Sequence, residues 1–142
     1  MPPSAVKRFT VDADWRPYRA LELDLRQLSA ETPSRIECSF FVETKQELWF
    51  QSRTHLVLNG ENQTLTIRLD AGSPDLRCIN ARVPYSPEDL RWVRRYGLKV
   101  FSVKPGKARI LIGKLRLIEA DESQVRVADV HLPVRPSVGR VS

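Results

Sequence analysis

The sequence predicts an all-β protein: an antiparallel jelly-roll β-sandwich with one short helix. Three observations carry that prediction. First, apolar residues alternate with polar ones in two runs, Leu21, Leu23 and Leu25 against Glu22, Asp24 and Arg26, and Leu65, Ile67 and Leu69 against Thr64, Thr66 and Arg68. A period of two sends one set of side chains to a core and the other to the opposite face of a sheet. Second, Asn59-Gly60 stands between two apolar runs, and both residues tolerate the positive φ of a tight hairpin turn. Third, only the stretch beginning at Ser86 carries helix signals, whereas a parallel α/β sheet needs a helix after most strands.

Taken in order, residues 1–6 read as a frayed end, with a short strand over Lys7–Val11. The following DWRPYRALELDLRQL contains good helix formers, but its period-two pattern and Pro17 decide for strand. Trp15 and Tyr18 are expected to fold over the edge of the core. SAETPS is a loop, and RIECSFFVET a strand with Ile36, Cys38, Phe40 and Val42 on one face and Glu37, Ser39, Phe41 and Glu43 on the other. Thr44–Glu47 turns the chain into Leu48–Ser52. The hairpin through Asn59-Gly60 then runs to Asp70, AGSPDL forms a loop, and residues 77–83 make a loose strand.

Ser86-Pro87-Glu88-Asp89 starts a helix: a capping hydroxyl, proline at the first helical position, and acids at the positive end of the dipole. Asp89 stands at capping-box spacing from Ser86. The helix is expected to reach about Tyr96 and to stop at Gly97, a favourable C-terminal residue. Leu98–Val103 and Ala108–Ile118 are strands joined by a turn at Lys104–Lys107. Ile110 and Ile112 are out of register with Leu115 and Leu117, which predicts a bulge at Gly113. VRVADVHL, 125–132, is a last strand, and residues 133–142 look like a linker.

Length and charge set further bounds. The 142 residues, 42% of them hydrophobic, suit a single domain, 1–142, with one core. No apolar run approaches the ~20 residues of a membrane helix, and the N-terminal residues lack the apolar centre of a secretory leader. Cys38 and Cys78 lack CxxC spacing; they read as small buried hydrophobes, with a disulfide between neighbouring strands as the alternative. The net charge is +6, unevenly spread. Nine basic residues and no acid lie between Leu90 and Ile118, which leaves 14 bases against all 17 acids elsewhere. Such a segment is either a solvated face, a seam to a neighbouring domain, or a surface for an anionic partner.

The order of these elements resembles a known family. DWRPYRALELDL leads, LWFQ and LNGENQTLTIRL follow, and SPEDLRWVRRYGLKVFS precedes a closing ARILIGKLRLIE. Over roughly residues 14–119 this is similar to the β-jelly-roll, galactose-binding-like modules attached to carbohydrate-active enzymes. The resemblance implies a non-catalytic accessory domain of a larger, extracytoplasmic protein that binds a polysaccharide or oligosaccharide. Many such modules carry an acidic residue on the closing strand, tied to a structural calcium; this chain has Gly113-Lys114 there, so no metal and no cofactor are expected.

A sugar site needs flat aromatic faces for CH patches and planar polar groups for hydroxyls. If Leu48 and Phe50 point inward, then Trp49, Gln51 and Arg53 point outward. The resemblance therefore implies a shallow cleft of Phe41, Trp49, Gln51, Arg53 and Arg68, which the basic segment tilts toward acidic polysaccharide. Against it stands the bland reading of Trp49 as packing under a loop or against a neighbouring domain. Trp15, Tyr18 and Trp92 each flank an apolar element and read as structural. An enzyme is not expected: His55 and His131 have no partner at ligand or triad spacing, and no phosphate loop occurs. Two alternatives remain. One is a structural or protein-interaction sandwich without a glycan site. The other is a nucleic-acid surface built on the basic segment with Trp92, Tyr96 and Phe101, although no nucleic-acid motif is present.

Overall fold

The computed structural model describes residues 4–30, 36–58, 60–102 and 108–119. These form β1 (Ser4–Ala13), β2 (Tyr18–Ala30), β3 (Ile36–Thr44), β4 (Trp49–Gln51), β5 (His55–Leu56), β6 (Asn62–Arg68), β7 (Arg77–Cys78), a 3-10 helix (Pro87–Trp92), β8 (Val93–Ser102) and β9 (Ala108–Glu119). The expected strand at 125–132, the tail from Pro133 and the turn at 104–107 lie outside the described residues.

All pairings are antiparallel and fall into two sheets. The larger has the order β1-β8-β3-β4-β7, with β5 also on β3; the smaller has the order β6-β2-β9. The chain crosses between sheets after β1, β2, β5, β6 and β8. The fold is thus the expected all-β sandwich with one short helix.

Alternation decides which side chains meet. Leu21, Leu23 and Leu25 of β2 and Leu65 and Ile67 of β6 face Cys38, Phe40, Val42, Phe50 and Leu98 of the larger sheet, all buried. Trp15 lies deeper than expected, wholly inside the core and tilted against Tyr96 at 5.8 Å between ring centroids. Burying side chains of this size contributes roughly 1.5–3 kcal/mol each before entropy is charged. Cys38 and Cys78 are free and buried, and burial pushes the Cys38 thiol up to about 12, far from a reactive thiolate.

The bulge at Gly113 is present. Leu23 and Leu25 pair with Leu115 and Ile112, so β9 spends one more residue than β2 over that step. The extra residue lets Ile110 and Ile112 join Leu115 and Leu117 against the core.

Three expectations are corrected. The strands on either side of the expected Asn59-Gly60 hairpin do not pair with each other: β5 pairs with β3, and β6 pairs with β2, while Asn59 itself lies outside the described residues. Gly60 does take a positive φ, +72°, but at a crossing from one sheet to the other. The Gln63 amide bridges the crossing, accepting from Leu58 N–H at 3.0 Å and donating to Leu56 O at 2.6 Å. The helix ends four residues early. Its capping box forms, with Ser86 Oγ accepting from Glu88 N–H and Asp89 accepting from Ser86 N–H. Beyond Trp92, however, β1 and β3 both offer a ladder, and Tyr96, Leu98 and Val100 take strand alternation instead. Fraying is not seen at Ser4–Val6, which pair with Phe101–Lys99.

Gly97 therefore sits inside β8, an interior strand of the larger sheet, not at a helix end. A Cβ there would stand 1.9 Å from Lys7 O and 2.8 Å from Phe41 Cζ. Gly97→Ala is expected to cost about 3 kcal/mol or more, above the usual overpacking range because a backbone oxygen blocks it. Gly60→Ala, which meets nothing within 4 Å, is expected to cost only about 1 kcal/mol for its φ. Urea denaturation of the two variants checks the order; equal losses would refute the packing role of Gly97.

Candidate functional site on the outer face of the larger sheet

Register fixes what this face displays. One row across the sheet reads Arg8, Gly97, Phe41, Gln51, Arg77, and the next reads Thr10, Arg95, Glu43, Trp49. Their sequence neighbours Phe50, Val42 and Cys78 point inward. Phe41 is on the outside of the sheet yet fully buried. It lies over the bare backbone of Gly97, its strand partner, and Trp49 covers it from above in a near-parallel stack, 4.3 Å between centroids and 20° between planes. Such a pair contributes about 0.5–1.5 kcal/mol beyond the area it buries.

Trp49 remains half-buried, so the indole face away from Phe41 is the one turned outward. Its Nε1–H donates to Gln51 Oε1 at 3.0 Å, which orients the Gln51 amide nitrogen to the surface. The backbone of Trp49 is held as well: its N–H donates to Asn80 Oδ1 and its carbonyl accepts from Ile79 N–H. Asn80 Nδ2 also donates to Glu47 O, which secures the β3–β4 turn where Glu47 adopts φ +63°. The Arg8 guanidinium is 5.6 Å from the Trp49 centroid and 6.0 Å from that of Phe41. Nearly equal distances put it beside the stack, not on top of it. Arg8 and Arg95 both bond Glu43, at 2.9 and 3.3 Å.

Of the residues expected to form the cleft, Phe41, Trp49 and Gln51 come together, and exposed Arg53 follows Gln51 along the chain. Arg68 does not join them. It stands on β6, in the other sheet, where Asp70 holds its guanidinium at 3.0 Å. The misplacement follows from reading residues 48–70 as one hairpin. Sequence reasoning also missed Arg8 and Arg77, which the strand pairing adds to the row; alternation with Phe9 and Cys78 was the available signal. The basic segment is divided between the two outer faces. Arg95 and Lys99 are on the larger sheet, while Arg116 on the smaller one bonds Asp24 and Glu22.

The smaller sheet carries a groove of about 420 Å³ lined by Asp24, Arg26, Asn62, Gln63, Thr64, Leu111 and Gly113 among others. Much of its polarity is already used. Asp24 accepts from Arg116 and Thr64, which together hold its carboxyl down at about 2, and Gln63 is spent on the sheet crossing. Among the described residues, no group of three or more His, Cys, Asp or Glu is placed to hold a metal ion. No family model matches this sequence, and no curated protein matches it at a significant level.

His55, opposite Cys38 in the β5–β3 pairing, has a value lowered from 6.5, first by burial and then by the nearby Arg53 charge, with Asp75 opposing. The folded chain thus resists a proton that the unfolded chain accepts. Stability is expected to be complete above pH 6.5 and to fall as pH drops below it. His55→Gln is expected to flatten that slope in thermal melts between about pH 5 and 7; an unchanged slope would assign it to another group.

Proposed function

We propose that this protein is a non-catalytic glycan-binding module of a larger protein, and that its platform is the outer face of the larger sheet. One observation carries the reading: a tryptophan ring laid flat on a buried phenylalanine, on the outside of a sheet, with a planar amide beside it. A stack that only filled a core would face inward. Here the outer indole face offers a surface for apolar sugar CH groups, and the Gln51 amide a donor for hydroxyls. Arg53 and Arg77, both exposed, flank Gln51 and tilt the ligand toward an acidic polysaccharide.

A second reading rests on Ile79 and Val83, exposed apolar side chains beside the edge strand β7. They suit a protein-interaction or structural sandwich docked against a neighbouring domain.

A glycan array followed by calorimetry separates the two. Acidic glycans are expected to bind, Trp49→Ala to weaken binding about ten-fold or more, and Arg53→Ala to weaken it in a salt-sensitive manner. Binding unchanged in Trp49→Ala would remove this face from the site. Loss of binding to a partner domain in an Ile79→Ser, Val83→Ser variant, with no glycan bound by the wild type, would establish the second reading instead.

A further inference from the structure

β9 closes one end of the smaller sheet. Its 12 residues, Ala108–Glu119, pair with β2 along one edge, and the other edge has no partner among the described residues. At the rise of a strand this is roughly 40 Å of backbone edge with N–H and C=O groups unmatched. The side chains beneath show the same one-sidedness. Ile110, Ile112, Leu115 and Leu117 pack on the core yet stay partly exposed, whereas Leu21, Leu23 and Leu25 on the neighbouring β2 are at most 2% exposed. Proteins blunt such edges with a lysine or a bulge, and β9 has both, at Lys114 and Gly113. Blunting does not account for the sequence that follows β9.

The core-facing residues of β9 are unevenly spaced. Steps of two, three and two separate Ile110, Ile112, Leu115 and Leu117, because the bulge at Gly113 shifts β9 against β2. A strand that followed β9 residue by residue on its far edge would need the same break at the same height. Residues 125–132, VRVADVHL, lie outside the described residues. Their large apolar positions, Val125, Val127, Val130 and Leu132, are also separated by two, three and two. One antiparallel register matches all four: Leu117 with Val125, Leu115 with Val127, Ile112 with Val130 and Ile110 with Leu132. A shift of two sets Val127 opposite Gly113 or Asp129 opposite Leu115, and a shift of one reverses the faces. β6, at the other end of the sheet, keeps an unbroken period of two through Leu65 and Ile67 and has no such break to match.

We infer that the far edge of β9 is a docking edge whose occupant is this chain's own segment 125–132, added in that register as a fourth antiparallel strand of the smaller sheet. The connection has hairpin length: Ala120–Glu122 where Glu119 meets Ser123, or Glu119–Ser123 where it does not. On the outer face His131 comes opposite Leu111, which is 55% exposed. Arg126 comes opposite Arg116, whose guanidinium already bonds Asp24 and Glu22, so two cations share two carboxylates. Pro133 falls opposite Arg109 and ends the ladder, since proline has no N–H to donate. The inference concerns the smaller sheet and stands apart from the glycan reading.

Two measurements on the full chain test it. In amide hydrogen exchange followed by NMR, the β9 amides directed away from β2 are expected to exchange about a hundred-fold or more slowly than free chain, as those directed at β2 do. Far-edge amides that exchange like free chain overturn the inference. The second measurement is a cross-link. Leu111→Cys with His131→Cys sets two thiols directly opposite, a separation that a disulfide spans, and the native Cys38 and Cys78 are buried. Mild oxidation is expected to give an internally cross-linked monomer. Leu111→Cys with Leu132→Cys, one residue out of register and on the other face, is expected to give about ten-fold less. Thermal melts confirm folding of each variant. A cross-linked dimer assigns the strand to a second copy, and equal yields from the two pairs, or none from either, take segment 125–132 off this edge; each of these results overturns the inference.

Discussion

The missing side chain at Gly97 is the constraint on which the outer face of the larger sheet depends. β8 is an interior strand, paired with β1 on one edge and β3 on the other. Any Cβ at Gly97 would collide with Lys7 O on the first neighbour and with the Phe41 ring on the second. Its absence lets β1 close on β8 and gives Phe41 bare backbone to lie on. Bare backbone at a strand glycine is exposed and weakens the ladder; a cross-strand aromatic ring restores the lost cover. Trp49 then covers Phe41, so one glycine, one buried ring and one half-exposed ring form a column rising from the sheet.

The two outer faces of the sandwich differ in what they leave available. On the smaller sheet, Arg116, Asp24, Glu22 and Thr64 bond one another across three neighbouring strands. Such exposed pairs add little stability, but they satisfy the polar groups that a ligand would need. On the larger sheet, Glu43 takes up Arg8 and Arg95, while the outer Trp49 face, the Gln51 amide nitrogen and exposed Arg77 stay available. Charge alone does not separate the faces, because the basic segment feeds both. Only strand pairing shows which cations are already matched by a carboxylate.

Much of the fold was legible because period two is a local signal with a single geometric meaning. Leu21, Leu23 and Leu25 needed no tertiary information to be placed inward. The bulge at Gly113 was legible for the same reason: a phase change in that period requires an extra residue. What misled was the turn and helix chemistry around Asn59-Gly60 and Gly97. Glycine signals a backbone requirement without naming its cause. Positive φ at Gly60 serves a sheet crossing as well as a hairpin, and a glycine after RWVRRY suits a helix end as well as a close strand contact. Partners far in sequence, Gln27 O for Gly60 and Lys7 O for Gly97, decide both cases. The same long-range pairing moved Arg68 off the cleft and brought Arg8 and Arg77 onto it.

Rigidity links the platform to binding. A surface aromatic side chain gains affinity only if little motion is lost when a ligand settles on it. Trp49 meets that condition from several directions: Phe41 under its ring, Gln51 on its indole nitrogen, and Asn80 and Ile79 on its backbone. Asn80 carries the most, since its one amide joins Trp49 N–H to Glu47 O and thereby fixes the strained turn to the strand that follows it. Loosening Asn80 would leave the stacking surface intact in composition while restoring the freedom that binding must then remove. Pre-ordering through a buried ring and one bridging amide, more than the number of cations nearby, is what distinguishes this face from the self-paired face behind it.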